Sequence, residues 1–173
     1  WNGLAHLREC LDSVESQTVR PAETLLVDNG STDASVSFVR EVYPWVTVIQ
    51  LDRNRGFAVA VNRGIAAAAT PYVALLNNDT RLDREWLKEL LHALGETTNA
   101  GMAACKMLNF FRRGTLDAAG DILTRSGAPF SRGSGEPDDG RYSQPGYVFG
   151  ACAGAALYRR KLFEAIGLFD EDF

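Results

Sequence analysis

The sequence predicts an α/β domain in which helices flank a mostly parallel central sheet. Two observations predict it. Short apolar runs alternate with segments of helical periodicity along the N-terminal part of the chain. Three of those runs close on a carboxylate beside Asn or Gly, at Asp28-Asn29, at Asp52 ahead of Gly56, and at Asn77-Asn78-Asp79. In open α/β sheets the C-terminal edge of the strands is where ligands bind.

The elements follow in order. Leu4, Leu7, Leu11 and Val14 recur at helical spacing and predict a helix that ends before Pro21. Glu23 to Asp28 is a short apolar run and predicts a buried strand. Asn29 to Asp33 supplies a turn and helix-capping residues, and a helix from about Asp33 to Val42 stops before Pro44. Val46 to Leu51 is β-branched and predicts a second strand. A helix from about Phe57 to Ala69 follows, then a strand over Tyr72 to Leu76, then a helix from about Arg84 to Leu94 with Asp83 as its N-cap. Gly101 to Lys106 and Gly154 to Tyr158 read as strands, Asp117 to Leu123 as a short strand or hairpin, and Arg160 to Ile166 as a helix. Thr124 to Gly146, rich in Gly and Pro, reads as a long mobile loop of the kind that serves function.

A chain of 173 residues fits one domain. Its net charge of -4, with 18 Lys and Arg against 22 Asp and Glu, excludes the basic stripe of a nucleic-acid binder. Anionic phosphates would therefore need local help from a helix N-terminus, arginines or a metal ion. Cys10, Cys105 and Cys152 match no zinc spacing and read as free thiols in a reducing compartment. His6 and His92 lie on predicted helices without a partner pattern. Arg112, Arg113, Arg125 and Arg132 flank the loop and read as solvated charge, the alternative being contact with an anionic glycan or a membrane surface. No apolar run reaches the ~18 residues needed to span a bilayer. The chain begins at Trp1 rather than Met, and the expectation is that the natural polypeptide extends at both ends.

Five motifs occur in a fixed order: Cys10-Leu-x-Ser13 with Gln17, Pro21 and Glu23; Val27 to Asp33; Asn54-Arg-Gly-Phe-Ala58 with Asn62 and Gly64; Leu76 to Thr80 followed by Trp86-Leu87; and Gly154 to Arg160 with Gly167 to Glu171. Together they span nearly the whole chain and resemble the family 2 inverting glycosyltransferases, with the rhamnosyltransferase-like bacterial members as the nearest pattern. The resemblance implies a GT-A fold, a Rossmann-like arrangement for nucleotide-diphospho-sugars. It implies one incomplete catalytic domain, with residues 1–106 as the nucleotide-sugar half and 107–173, including the loop 124–146, as the acceptor half. It further implies transfer of a sugar from a nucleoside-diphosphate donor to a saccharide or lipid-linked acceptor, with inversion, in the cytoplasm or at the inner face of the cell membrane through peripheral association.

The resemblance also assigns residues. Asp28 matches the acid at the nucleobase, where a carboxylate accepts from a uracil or thymine N3–H, so uridine or thymidine donors are favoured. Asn29, with Ser31 and Asp33, shapes the adjoining turn and belongs to the donor-binding set. Asn54, Arg55 and Gly56 match the next donor-side loop, with Arg55 facing the diphosphate and Gly56 permitting close backbone approach. Asn62 matches a helical Asn near the nucleoside. Asn77-Asn78-Asp79 stands where the family carries Asp-x-Asp, with Asn77 and Asn78 on the donor and Asp79 alone left to hold Mg²⁺ or Mn²⁺. One carboxylate with diphosphate and water is enough for such a cation in principle. The general base is expected beyond Phe173, with Asp170 and Glu171 as weaker candidates. Two other readings remain open: a non-catalytic nucleotide-sugar-binding fragment, and a sugar nucleotidyltransferase.

Overall fold

The apolar periodicities become elements close to the expected bounds in a computed structural model that describes residues 1–172. Helix α1 (Leu4–Glu15) buries Leu7, Cys10, Leu11 and Val14 on one stripe. Strand β1 (Leu25–Asp28) pairs in parallel with β2 (Thr47–Gln50), Leu25 opposite Thr47 and Asp28 opposite Gln50. Helix α2 (Ser35–Val42) connects them. Leu7 and Leu11 of α1 pack there with Val39, Tyr43 and Val46. Helix α3 (Phe57–Ala67) starts after Gly56, whose φ of 88° lies in the left-handed region.

Strand β3 (Tyr72–Leu76) leads to α4 (Trp86–Glu96), which buries Leu87, Leu90 and Leu94. Asp83 serves the entry to α4 through its side chain on Glu85 N (2.9 Å) and its carbonyl on Trp86 N (3.1 Å), two residues earlier than an N-cap proper. Beyond β4 (Met102–Ala104) lies a layer of short pieces: β5 (Met107–Leu108), β6 (Leu116–Ala118), β7 (Asp121–Leu123) and β8 (Pro129–Ser131). The chain returns as β9 (Ala155–Arg159) and closes on α5 (Arg160–Ile166).

The sheet is mixed rather than mostly parallel. Strand β9 lies between β3 and β4 and runs antiparallel to both, Tyr72 facing Arg159 and Met102 facing Tyr158. Of the pairings, only β1 with β2 is parallel. Direction cannot be read from an apolar run buried on both faces, and β9 is such a run. Its Ala156 and Tyr158 pack with Ile65, Val73, Leu75 and Phe163, while Leu157 packs with Leu87, Leu90 and Leu94. Arg159 fastens the strand to the end of α4 by donating to Leu94 O (2.5 Å) and Ala100 O (2.9 Å). A cation near a helix C-terminus is favourably placed.

The segment Thr124 to Gly146 is also more structured than a loop. It contains β8, which forms a hairpin with β7. It then returns along β6, where Gly135 N donates to Leu116 O (3.0 Å) and Leu116 N to Glu136 O (2.8 Å). Lys106 meets Asp138 at 2.9 Å and closes the far end. Glycines and prolines serve tight turns here rather than open chain.

One break in the sheet stands out. Strand β1 has β2 as its sole partner and β3 has β9, so each keeps a free edge. Both edges border one cavity of about 520 Å³, roofed by Leu7, Leu11 and Val14 and floored by Val61 and Gly64. Ala74, in the middle of β3, is exposed in consequence. Because successive N–H groups of a strand point to opposite edges, about half of those in β1 and β3 look into this space. Amide hydrogen exchange should therefore divide the sheet. Protection should be highest in Ala155–Arg159, paired on both sides, and at least about a hundredfold lower at alternate amides of Leu25–Asp28 and Tyr72–Leu76. Uniform protection across β1, β3 and β9 would contradict the open edges.

Candidate functional site

The ends of β1 and β2 are locked together first. Asp28 is buried and its Oδ2 accepts from Ser31 N (3.1 Å), which turns the chain out of the strand. Its Oδ1 makes no hydrogen bond to another described residue. Gly30, at φ 73°, backs onto the chain leaving β2, where an added Cβ would lie 2.4 Å from Arg53 Cα. Only glycine fits both demands.

Asn29, also buried, spends its carboxamide on the neighbouring loop. Its Nδ2 donates to Asn54 Oδ1 (3.0 Å) and to Gly56 O (2.9 Å), and its Oδ1 accepts from Arg55 N (2.8 Å). Asn54 Oδ1 also accepts from Gly56 N (3.0 Å). Asn29 and Asn54 thus hold the loop's backbone, which leaves the Asn29 amide little capacity for anything else, whereas Asn54 engages only its Oδ1. Arg55 is exposed, and its Nε lies 3.0 Å from Asp52 Oδ1. That contact holds the Asp52 carboxyl below its ordinary pKa and, with a smaller contribution from Glu171, raises that of Arg55. Both groups are charged at neutral pH.

The third strand end is built from below. Asn77 N donates to Gly154 O (2.8 Å), extending the β3–β9 ladder, and Asn77 O accepts from Thr80 Oγ1 (2.6 Å) and, weakly, from Cys10 Sγ (3.6 Å). Asn78 Nδ2 reaches Gly3 O at 3.4 Å. Burial pushes the Cys10 thiol up to about 11, so it stays protonated beneath this turn and is no nucleophile. All three cysteines are free. Asp79 is exposed, and its carboxylate makes no hydrogen bond or ion pair with a described residue. The donor set fits a hard cation that takes one carboxylate plus phosphate and water oxygens. It does not fit an all-protein cage, since the described residues contain no group of three or more His, Cys, Asp or Glu able to hold a metal.

Sequence reasoning gave no role to the residues that steady this end. Buried Gln17 donates to Ser13 O (3.1 Å) and Asp83 O (2.7 Å) and accepts from Leu87 N (3.0 Å). Ser13 Oγ accepts from Leu82 N (3.0 Å). Together they clamp α1 to the start of α4, and the turn of Asn77 to Asp79 hangs between. A Gln or Ser on the buried side of a helix was the available signal.

Asp28, Asn29, Ser31, Asn77 and Asn78 border the same cavity, so the first and third strand ends adjoin at its polar rim. The loop of Asn54 to Gly56 joins them through Asn29. The body of the cavity is aliphatic and lies inside the broken sheet; only this rim has the polarity of a site. Asn62 stands apart from that rim. Its Nδ2 donates to Phe169 O (2.8 Å) and Glu171 Oε1 (2.9 Å), and its Oδ1 accepts from Phe169 N (3.0 Å). With both N–H groups engaged, it serves the turn at Phe169 and Glu171. Asp170 Oδ1 accepts from Asp172 N (3.0 Å) and so serves the same turn. Phe173, after which the base is expected, lies outside the described residues.

Comparison with known proteins gives a consistent result. The family model described as "Glycosyl transferase family 2" matches residues 1–167. The O-antigen biosynthesis protein RfbC of Myxococcus xanthus is 30% identical over 96% of this chain and 14% of its own length. The N-acetylglucosaminyl-diphospho-decaprenol L-rhamnosyltransferase of Mycobacterium tuberculosis is 28% identical over 97% of this chain and 62% of its own. The chain thus spans less than two thirds of either relative. Among solved structures, the mannosyltransferase PcManGT of Pyrobaculum calidifontis, in complex with GDP-Man and Mn²⁺, superposes with a TM-score of 0.69 at 21% identity over 99% of this chain and 46% of that one. S. aureus TarS 1–349 in complex with UDP gives 0.71 at 20% identity over 99% and 48%. At that identity the likeness shows the fold, which is the GT-A fold.

The Asn29 network yields a test. Asn29→Ala strips the loop of three hydrogen bonds and leaves partly buried backbone groups without their protein partner, which costs about 1 kcal/mol. Urea denaturation should show that loss, with faster exchange at the Arg55 and Gly56 amides; an unchanged midpoint would contradict the network.

Proposed function

The chain belongs to glycosyl transferase family 2, and from that premise we propose that it is an enzyme transferring a sugar from a nucleoside-diphosphate donor to a saccharide or lipid-linked acceptor, with inversion and metal assistance. The observation that carries this reading is the meeting of two polar strand ends at one rim, with the loop of Asn54 to Gly56 tied to it by Asn29. Residues 1–106 form the donor half and 107–173 the acceptor half of one domain. We place the work in the cytoplasm or at the inner face of the cell membrane. No helix among the described residues is long and apolar enough to cross a membrane.

The roles follow from the chemistry at each end. Asp28 keeps Oδ1 free to accept the N3–H of uracil or thymine. Arg55 and the backbone at Gly56 meet the diphosphate, whose charge replaces Asp52 as the partner of the guanidinium. Asp79, with the amide oxygens of Asn77 and Asn78 nearby, would hold Mg²⁺ or Mn²⁺ together with the diphosphate. When bound, that cation would stabilise the charge that builds on the leaving nucleoside diphosphate, usually the largest catalytic contribution. The acceptor hydroxyl attacks the opposite face of the sugar, the bond to the nucleoside diphosphate breaks, and the hydroxyl proton passes to a general base. Asp170 and Glu171 are weaker candidates because each has a carboxylate oxygen committed within the turn. PcManGT with GDP-Man and Mn²⁺, and TarS with UDP, support a donor of this class.

Two measurements test the assignment. Asp79→Ala should lower Mn²⁺-dependent affinity for UDP or dTDP by at least about tenfold in calorimetry, with little change in Tm, because Asp79 is exposed. Unchanged metal-dependent binding would remove Asp79 from the site. Asp28→Asn keeps an oxygen for Ser31 N but presents an N–H donor where the base binds. It should shift preference from UDP towards CDP, whose N3 is an acceptor; the same base preference in both proteins would refute the contact.

A further inference from the structure

The turn after α5 is fastened to α3 more firmly than a surface turn requires. Asn62, midway along α3 and buried, commits both N–H groups and its oxygen to Phe169 and Glu171. Phe169 adds edge contacts to Phe57 at the start of α3 and a tilted contact to Phe163 of α5. The product of this fastening is the Glu171 side chain. Oε1 is fixed by Asn62, Oε2 has no hydrogen bond to another described residue, and the residue is exposed. The turn packs beside the donor loop, since the ring of Phe169 meets that of Phe57, the residue directly after Gly56, at 6.5 Å. The Glu171 carboxylate is thus presented, oriented and unsatisfied, next to the donor loop.

We infer that Glu171 recognises a hydroxyl of the transferred sugar and that Asn62 is the positioning residue that orients it. The inference rests on the donor site proposed above. A carboxylate there repels phosphate, so its complement is a neutral O–H donor. The proposed cation is already assigned to Asp79 with the Asn77 and Asn78 amide oxygens, which leaves Glu171 for a neutral donor. The nucleoside is assigned to Asp28 on the rim, whereas the Glu171 turn is anchored on Asn62, which does not border that rim, so the hydroxyl-bearing group left beside Arg55 is the sugar. A charge-assisted hydrogen bond fixed in this way discriminates strongly, since the carboxylate is already oriented.

The test compares nucleotide with nucleotide-sugar. Calorimetry with Mn²⁺ measures UDP against UDP-GlcNAc, and GDP against GDP-mannose, for the unmutated protein, Glu171→Gln, Asn62→Ala and the double variant Asn62→Asp/Glu171→Gln. The sugar should add affinity in the unmutated protein for at least one pair. Glu171→Gln and Asn62→Ala should cut that increment roughly tenfold, while affinity for the bare nucleotide stays within about twofold. The double variant rebuilds the hydrogen bond between positions 62 and 171 with the charge moved. It should recover part of the Tm lost in Asn62→Ala, since a carboxylate at position 62 still accepts from Phe169 N but no longer donates to Phe169 O, yet leave the increment lost. Recovery of the increment along with Tm would mean that the contact only supports the fold, and would overturn the inference. So would an increment indifferent to Glu171, or a loss of bare-nucleotide affinity, which would put the contact on the ribose. Failure of every nucleotide to bind the unmutated protein would instead sink the donor site itself.

Discussion

A side-chain carboxamide can replace two or three missing backbone partners at once, and the polar edge of this domain depends on that substitution. Strands end there in irregular chain, and irregular chain leaves N–H and C=O groups that must be paired where they are buried. Asn29 pairs the loop of Arg55 and Gly56, Gln17 pairs the approach to α4, and Asn62 pairs the turn at Phe169. Each is neutral, so none has to be desolvated as an ion. The charged groups left over, Asp79, Arg55 and Glu171, stay at the surface, where phosphate, metal and sugar chemistry can use them.

This division of labour explains what the sequence could and could not reveal. Element positions were legible because apolar stripes mark buried faces, and β3 and α5 fall where the periodicity puts them. The gathering of Asp28 and Asn77 at one rim was legible from the strand ends. The direction of β9 was not, because Ala155 to Tyr158 is buried on both faces and apolar runs carry no arrow. Nor could the sequence separate an Asn that binds a ligand from one that binds backbone. Asn29, Asn54 and Asn62 have the same composition signal, and only the partners of their amides distinguish them. The Gly- and Pro-rich stretch misled for a related reason: hairpin turns and open loops use the same residues, and β6 supplies the partner that decides.

Electrostatics at the site follow from the same arrangement. The chain is net acidic, yet the donor proposed for the polar rim carries a diphosphate. Asp52 is paired with Arg55, and Glu171 adds a weaker attraction, before any ligand arrives. Exchanging those carboxylates for phosphate costs less than desolvating a free guanidinium, because one anionic partner replaces another. The lone acid of Asn77-Asn78-Asp79 fits this economy of charge, since two carboxylates there would add repulsion that only a bound cation could cancel.

The middle position of β9 has a consequence for how the chain acquires its structure. Its partners β3 and β4 are made far earlier, Leu76 pairing with Ala155 and Ala104 with Ala156. A ribosome releases β3, α4 and β4 before the strand that joins them exists. Until β9 arrives, the three leucines of α4 lack Leu157 and two apolar edges stay open. Long-range pairing of this kind slows folding and lengthens exposure to self-association. The β5–β8 layer, built from local hairpins, can form while the nascent chain waits, and it delivers β9 to a gap already framed on both sides.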